Sequence, residues 1–191
     1  MGLDFQPFDP HKDVRKYWRD LPHWRQEGAT YFVTFRLWDS LPKQAVEQLA
    51  VLRDSLAKKR ESQEFWVQAD REIYRMLKGF LEAGHGACFM RDGQVKAIVE
   101  TALAFFAGDR YQLGETAVLP NHVHVVVRPL AGHELEDILH SWKAHTAREI
   151  NRMVGRKGRV WQEEAYDRIV RDSQEFLRVE RYVRRNRGES D

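Results

Sequence analysis

Residues 119–129 read LPNHVHVVVRP, a β-branched run that follows a turn-forming Pro-Asn and carries two histidines two positions apart. Side chains alternate along a strand, so Val123, Val125 and Val127 share one face while His122, His124 and Val126 share the other. A segment this rich in valine has to bury its first face, which commits the chain to a sheet whose other face holds two imidazoles. Their Cα atoms stand roughly 6 to 7 Å apart, within reach of a single ion at bonds of about 2.0 to 2.2 Å. Two neutral imidazoles leave most coordination positions open, an arrangement suited to polarising a substrate oxygen. Taken alone, a His-x-His on a strand is equally a hydrogen-bonded pair on a solvated face, so the surrounding sequence has to decide.

The surroundings alternate strands with helices. Residues 29–38, ATYFVTFRLW, form an alternating aromatic and β-branched strand. Pro42 opens a helix with Val46, Leu49, Leu52 and Leu56 on one face, running into the charged stretch KKRESQE. A second helix over 66–82 ends at Gly84 and Gly86, and Asp92 caps a third that carries Val95, Ile98, Val99, Leu103 and Phe106. A strand over 111–119 turns at Pro120-Asn121 into its antiparallel partner, 122–128. A long helix follows with Leu135, Ile138, Leu139, Trp142, Ile150 and Met153 inward, stopped by Gly155 and Gly158. Within 160–170 lies one more short strand, and Asp172 with Glu175 makes a capping box for a last helix through Asn186. Reduced to its core, the order is strand, helix, strand, strand, helix, strand. This predicts an α+β chain with a ferredoxin-like (split βαβ) antiparallel sheet, helices on one face, the other face left available, and one added C-terminal helix. One domain over 1–191 is expected, its core at about 21–186 and a helical elaboration at about 43–82.

Cys88 is the sole cysteine, so an internal disulfide and an intrachain thiolate zinc site are both excluded, leaving His, carboxylate or amide donors for any metal. No apolar run approaches the roughly 20 residues of a membrane span, and the start lacks a secretory pattern, which predicts a cytoplasmic protein without a membrane partner. The net charge of +2 conceals an excess of arginine and lysine between Lys143 and Arg187, which points to an anionic partner.

The stretch LPNHVHVVVRP resembles the HUH motif of the one-tyrosine (IS200-like) single-strand transposases, and in particular their REP-associated tyrosine transposase branch. LPHWRQEGATYFVTFRLWDSLP before it, and SWKAHTAREINR and VWQEEAYDRIVRDSQEFLRVERYVRRN after it, resemble the corresponding family stretches in the same order, so the likeness spans residues 21–186. The resemblance implies a tyrosine on a C-terminal helix that attacks a phosphodiester of single-stranded DNA, forming a 5′-phosphotyrosine and freeing a 3′-hydroxyl. In RYVRRNR it places the nucleophile at Tyr182 and a third metal ligand at Asn186, beside His122 and His124. Residues i and i+4 share a helical face, which agrees with that pairing. With nitrogen and amide oxygen donors, Mg²⁺ or Mn²⁺ is expected. The implied partner is hairpin-flanked palindromic DNA, bound by a monomer or a homodimer. Asn186 is followed by Arg187, where relatives often have proline.

Around these residues, Lys143, Arg148, Arg168, Arg171, Arg178, Arg181, Arg184 and Arg185 are the candidate DNA contacts, and binding would weaken with salt. Trp38, Trp142 and Trp161 are candidates for stacking on bases, with at least two of them expected in the core. Tyr166 sits in a strand pattern and is expected to pack. His140 and His145 are read as surface or DNA-contact residues, and His11, His23, His85 and His133 as ordinary ones. Two other classes compete: a catalytically silent RRM-like module that binds single strands, and a histidine-based nucleotide phosphohydrolase, which Val126 disfavours by standing where a third alternating histidine is needed.

Overall fold

The computed structural model describes residues 2–57 and 63–188; the expected continuation of the charged run over 58–62 lies outside the described residues. Among the described residues six strands and five α-helices follow one another: β1 Arg15–Trp18, β2 Pro22–Arg25, β3 Tyr31–Arg36, α1 Lys43–Ala57, α2 Gln63–Glu82, α3 Gly93–Phe105, β4 Tyr111–Val118, β5 His122–Pro129, α4 Leu135–Met153, β6 Tyr166–Ile169 and α5 Ser173–Arg187. Four strands form an antiparallel sheet in the order β4-β5-β3-β6, the topology expected from the sequence. The caps hold as read. Asp92 accepts from the amides of Gln94 and Val95, and Asp172 from that of Glu175, whose own carboxylate reaches back to the Arg171 amide.

Val33 and Phe35 of β3 and Val123, Val125 and Val127 of β5 point to one side, where α3 supplies Val95, Val99 and Leu103, and α4 supplies Ile138, Trp142 and Ile150. The tryptophans of this layer keep their N–H groups satisfied, Trp142 on the Tyr111 hydroxyl at 2.9 Å and Trp161 on Thr146 Oγ1 at 2.8 Å. Both are core, and Trp38 is the half-exposed one.

The opposite face is not left available. Phe32, Ala117, Val126 and Tyr166 pack there against Ile73, Leu77 and Leu81 of α2 and Val179 and Val183 of α5. The spacing of four in α2 makes an apolar stripe that has to be buried, and the histidine face of the sheet is where it goes. The elaboration is thus a roof over the site face. In α1 the buried stripe runs through Ala45 and Leu56, with Leu49 and Leu52 half-buried, while Val46, expected inward, is exposed. Met153, at the end of α4, is likewise outside the core.

The hairpin β1–β2 has no counterpart in the sequence reading. Its strands are only four residues long, too short for alternation to register, and one begins at Pro22.

Candidate active site

Strand β5 puts both histidines on the roofed face, and β3 pairs with it so that Thr34 stands opposite His124 and Arg36 opposite His122. The two imidazoles are buried and their Nε2 atoms face each other at 3.2 Å. Each ring is held from behind. His122 Nδ1 lies 2.7 Å from Asn121 Oδ1, and Asn121 is itself oriented because its amide nitrogen donates to the carbonyls of Leu81, at 3.3 Å, and His85, at 3.1 Å. A carbonyl-type oxygen only accepts, so His122 carries its proton on Nδ1 and its Nε2 is bare. His124 Nδ1 lies 2.7 Å from Thr34 Oγ1. Burial lowers His122 to about 4 and holds His124 well below the usual imidazole range, with His122 and Lys78 adding to the second shift. Both rings are therefore neutral near pH 7.

The Tyr182 hydroxyl completes the group, 3.1 Å from His124 Nε2. Donating its proton there leaves His124 with its own proton on Nδ1, directed at Thr34. The two Nε2 atoms stand 3.2 Å apart and turn toward the same point, as two ligands of one ion do. The donor set thus fits a divalent ion. Among the described residues no third histidine, cysteine or carboxylate joins the pair. Asn186, one turn beyond Tyr182, donates from its amide nitrogen to the Tyr182 carbonyl at 2.8 Å, so its side-chain oxygen is the end not used in that bond.

Tyr182 rides on α5 because Val179 and Val183 pin that helix to the sheet. Its ring meets Phe32 edge-on at 6.2 Å, and the Lys78 ammonium lies 4.8 Å from its centroid. Burial raises the phenol above its ordinary value, and a hydrogen bond with Tyr74 partly offsets this. Tyr74 and Lys78 both come from α2, and Lys78 is paired with Glu82 at 3.6 Å. Sequence reasoning missed Thr34, Tyr74, Lys78 and Asn121. Asn121 was visible as a turn residue, and its place beside His122 was the available signal.

Tyr166 is buried and stacked on Tyr74 at 4.9 Å, a packing residue as expected. The predicted cations divide. Arg178, Arg181 and Arg185 are exposed on α5, while Arg184 pairs with Glu115 at 2.8 Å. Arg168 is held by Glu175 and lies over Phe32 at 5.5 Å, and Arg171 is half-buried beside it. Lys143 and Arg148 are on α4, which packs against the other face of the sheet. Arg148 is exposed; Lys143 donates to the Glu163 carbonyl at 2.7 Å, and burial lowers it to about 8. His140 and His145 are exposed on α4.

His23 is not an ordinary histidine. It is 3% exposed and sits between Asp167, 2.7 Å from Nδ1, and Glu164, 2.7 Å from Nε2. Arg25 pairs with the same Asp167 and, at 3.1 Å, with Glu136. This cluster joins the β1–β2 hairpin to β6 and α4.

Among solved structures the chain is similar to a REP-associated tyrosine transposase bound to a REP hairpin, at 15% identity and a TM-score of 0.48, over 89% of this chain and 71% of that one. It is also similar to a structure from Deinococcus radiodurans R1 described as a transposase, at 14% identity and a TM-score of 0.39, over 85% of this chain and 93% of that one. No curated protein matches it. The model of the IS200-like transposase family matches residues 90–186 of the 191, a span that holds both histidines, Tyr182 and Asn186. With the histidine pair and a helical tyrosine meeting inside that matched span, the chain belongs to the IS200-like transposase family.

Proposed function

We propose that this protein cuts and rejoins single-stranded DNA through Tyr182, with a divalent ion, Mg²⁺ or Mn²⁺, held by His122, His124 and Asn186. The observation that carries the reading is the 3.1 Å contact between the Tyr182 hydroxyl and a histidine pair whose Nε2 atoms face each other at 3.2 Å. In the reaction the Tyr182 oxygen bonds to phosphorus as the bond to the 3′-oxygen breaks, the phenol loses its proton, and the 3′-oxygen gains one. A phenol, with a pKa of about 10, both attacks and leaves, so the phosphotyrosine conserves the bond energy for rejoining. A bound divalent ion supplies charge stabilisation at the phosphate. His122 and His124 orient their Nε2 atoms through Asn121 and Thr34, and α2 excludes water from above.

The natural DNA in this reading is a palindromic repeat that folds into a hairpin and is cut beside its stem, as the resemblance of sequence to the REP-associated branch suggests. The exposed arginines of α5 lie on the same helix as the nucleophile and are the first candidates to track the strand. Lys143 and Arg148 serve only if the DNA passes round the sheet edge to α4. Tyr182 meets the histidines of its own chain, which favours a site that one copy completes.

The test is a denaturing-gel assay with labelled hairpin-flanked single strands. A covalent adduct is expected with Mn²⁺ or Mg²⁺, none with chelator, and none from His124→Ala. Strands bound without an adduct in either metal would replace this reading with that of a binding module.

Lys78 gives a second check. Its ammonium faces the ring that becomes a phenolate, so Lys78→Met is expected to slow adduct formation roughly five-fold, the ~1 kcal/mol of a half-exposed cation–π contact, while Lys78→Arg retains most of the rate. Single-turnover rates that do not differ would remove Lys78 from the site.

A further inference from the structure

Arg36 closes β3 directly opposite His122, and side chains at paired positions leave the same face of the sheet with Cβ atoms about 4.5 to 5.5 Å apart. Among the described residues its guanidinium hydrogen-bonds through one terminal nitrogen, to the Leu37 carbonyl at 3.4 Å and Ser40 Oγ at 3.2 Å. The other nitrogens meet no protein acceptor among the described residues, and no carboxylate there pairs with the group. Burial lowers the guanidinium to about 10, and it remains fully charged at neutral pH. A half-buried guanidinium whose remaining N–H groups border a cavity is suited to receive an anion there.

The space for one is adjacent. Arg36 lines a cavity of about 220 Å³ between the sheet and the α1–α2 pair, with Thr34, Leu49, Ile73, Leu77 and Tyr166 on its walls. Two carboxylates also border it: Asp20 pairs with Arg53 at 2.7 Å, and Glu164 pairs with His23 through Oε1 at 2.7 Å, its Oε2 meeting no hydrogen-bond partner among the described residues. The apolar walls keep the local dielectric low, which strengthens a contact between guanidinium and phosphate.

We infer that this cavity is a phosphate site, in which Arg36 holds one non-scissile phosphodiester of the single strand next to the phosphate that Tyr182 attacks. The inference rests on the DNA-cleaving reading above. It gives the α1–α2 elaboration a role as one wall of the substrate channel, and it places a fixed charge where the strand enters the histidine pair.

The experiment measures binding of a short fluorescein-labelled single strand by anisotropy between about 50 and about 200 mM salt, with chelator present so that no chemistry intervenes. Arg36→Met is expected to weaken binding roughly tenfold, as loss of a charge-assisted hydrogen bond does, and to lower the salt slope by about 0.7, as loss of one single-strand phosphate contact does. Arg36→Lys keeps the charge and most of the slope. Ala50→Phe fills the cavity from α1 without touching the charge, and is expected to act like Arg36→Met. A slope unchanged in both Arg36→Met and Ala50→Phe overturns the assignment, even if affinity falls, because a bracing role for Arg36 would leave the number of phosphate contacts the same. Should Arg36→Met fail to fold, Ala50→Phe and Arg36→Lys decide. If the wild-type protein binds no single strand, the DNA-cleaving reading fails and this site with it.

Discussion

If Tyr182 is the nucleophile as proposed, Tyr182→Phe is expected to abolish covalent capture of DNA while leaving the fold and the affinity for single strands in place. The ring itself is held by packing, with Phe32 edge-on at 6.2 Å and Lys78 at 4.8 Å, and phenylalanine keeps both contacts. What is lost is the hydroxyl with its bonds to His124 and to Tyr74, each worth roughly 0.5 to 1.5 kcal/mol for a half-buried group. A melting temperature within several degrees of the wild type is therefore expected. The chemical loss is far larger, because removing a nucleophile costs on the order of 10⁶ in rate in enzymes where this has been dissected. Adduct on a denaturing gel, circular-dichroism melting and anisotropy read the three quantities separately. An adduct that persists in Tyr182→Phe would move the nucleophile to another hydroxyl, and Tyr74 is the neighbour to test first, since Tyr166 is buried and stacked beneath it.

How far the sequence reveals this site depends on the range of the interactions involved. The alternation in HVHVVV determines which face of β5 is core, because that is a property of one strand. The position of Tyr182 on a helix that begins at Asp172 is legible for the same reason, a local cap and a local period. The rings' orientation is only half legible. Asn121 is adjacent to His122 in the chain, but Thr34 reaches His124 through the β3–β5 register, across 90 residues. The roof is not legible at all. The stripe Ile73, Leu77, Leu81 says that α2 is buried on one side, but not that it lies over the histidines with Tyr74 and Lys78 beside the phenol. His23 shows the limit most plainly, since its two carboxylates are 141 and 144 residues away and nothing near it in the chain announces them.

That buried histidine is the basis for the largest expected effect on stability. Burial alone would lower the His23 imidazole, but hydrogen bonds to Asp167 and Glu164, and the charge of Asp167, outweigh it and raise the group to about 9. An unfolded histidine titrates near 6.5. A group whose folded pKa lies above its unfolded one contributes its full stabilisation below about pH 6.5 and loses it as pH climbs through about 9. The interval corresponds to about 3 kcal/mol. Lys143 titrates in the opposite sense from about 8 upward, burial having lowered it, so the wild-type curve by itself mixes the two. His23→Gln separates them, because Lys143 is present in both chains. The variant is expected to be less stable than the wild type by about 3 kcal/mol at pH 6 and by under about 1 kcal/mol at pH 9.5. At the higher pH a neutral imidazole between two carboxylates has no more to offer than an amide. Chemical denaturation at both pH values measures the difference, and a gap that stays constant would show that His23 is not held as a cation. Because β6 carries both Asp167 and the Tyr166 that pairs with Thr34, weakening this clamp at high pH loosens the strand whose neighbour orients His124. Loss of activity above about pH 9 is then expected to track the loss of stability, and to be shallower in His23→Gln, where the clamp no longer titrates.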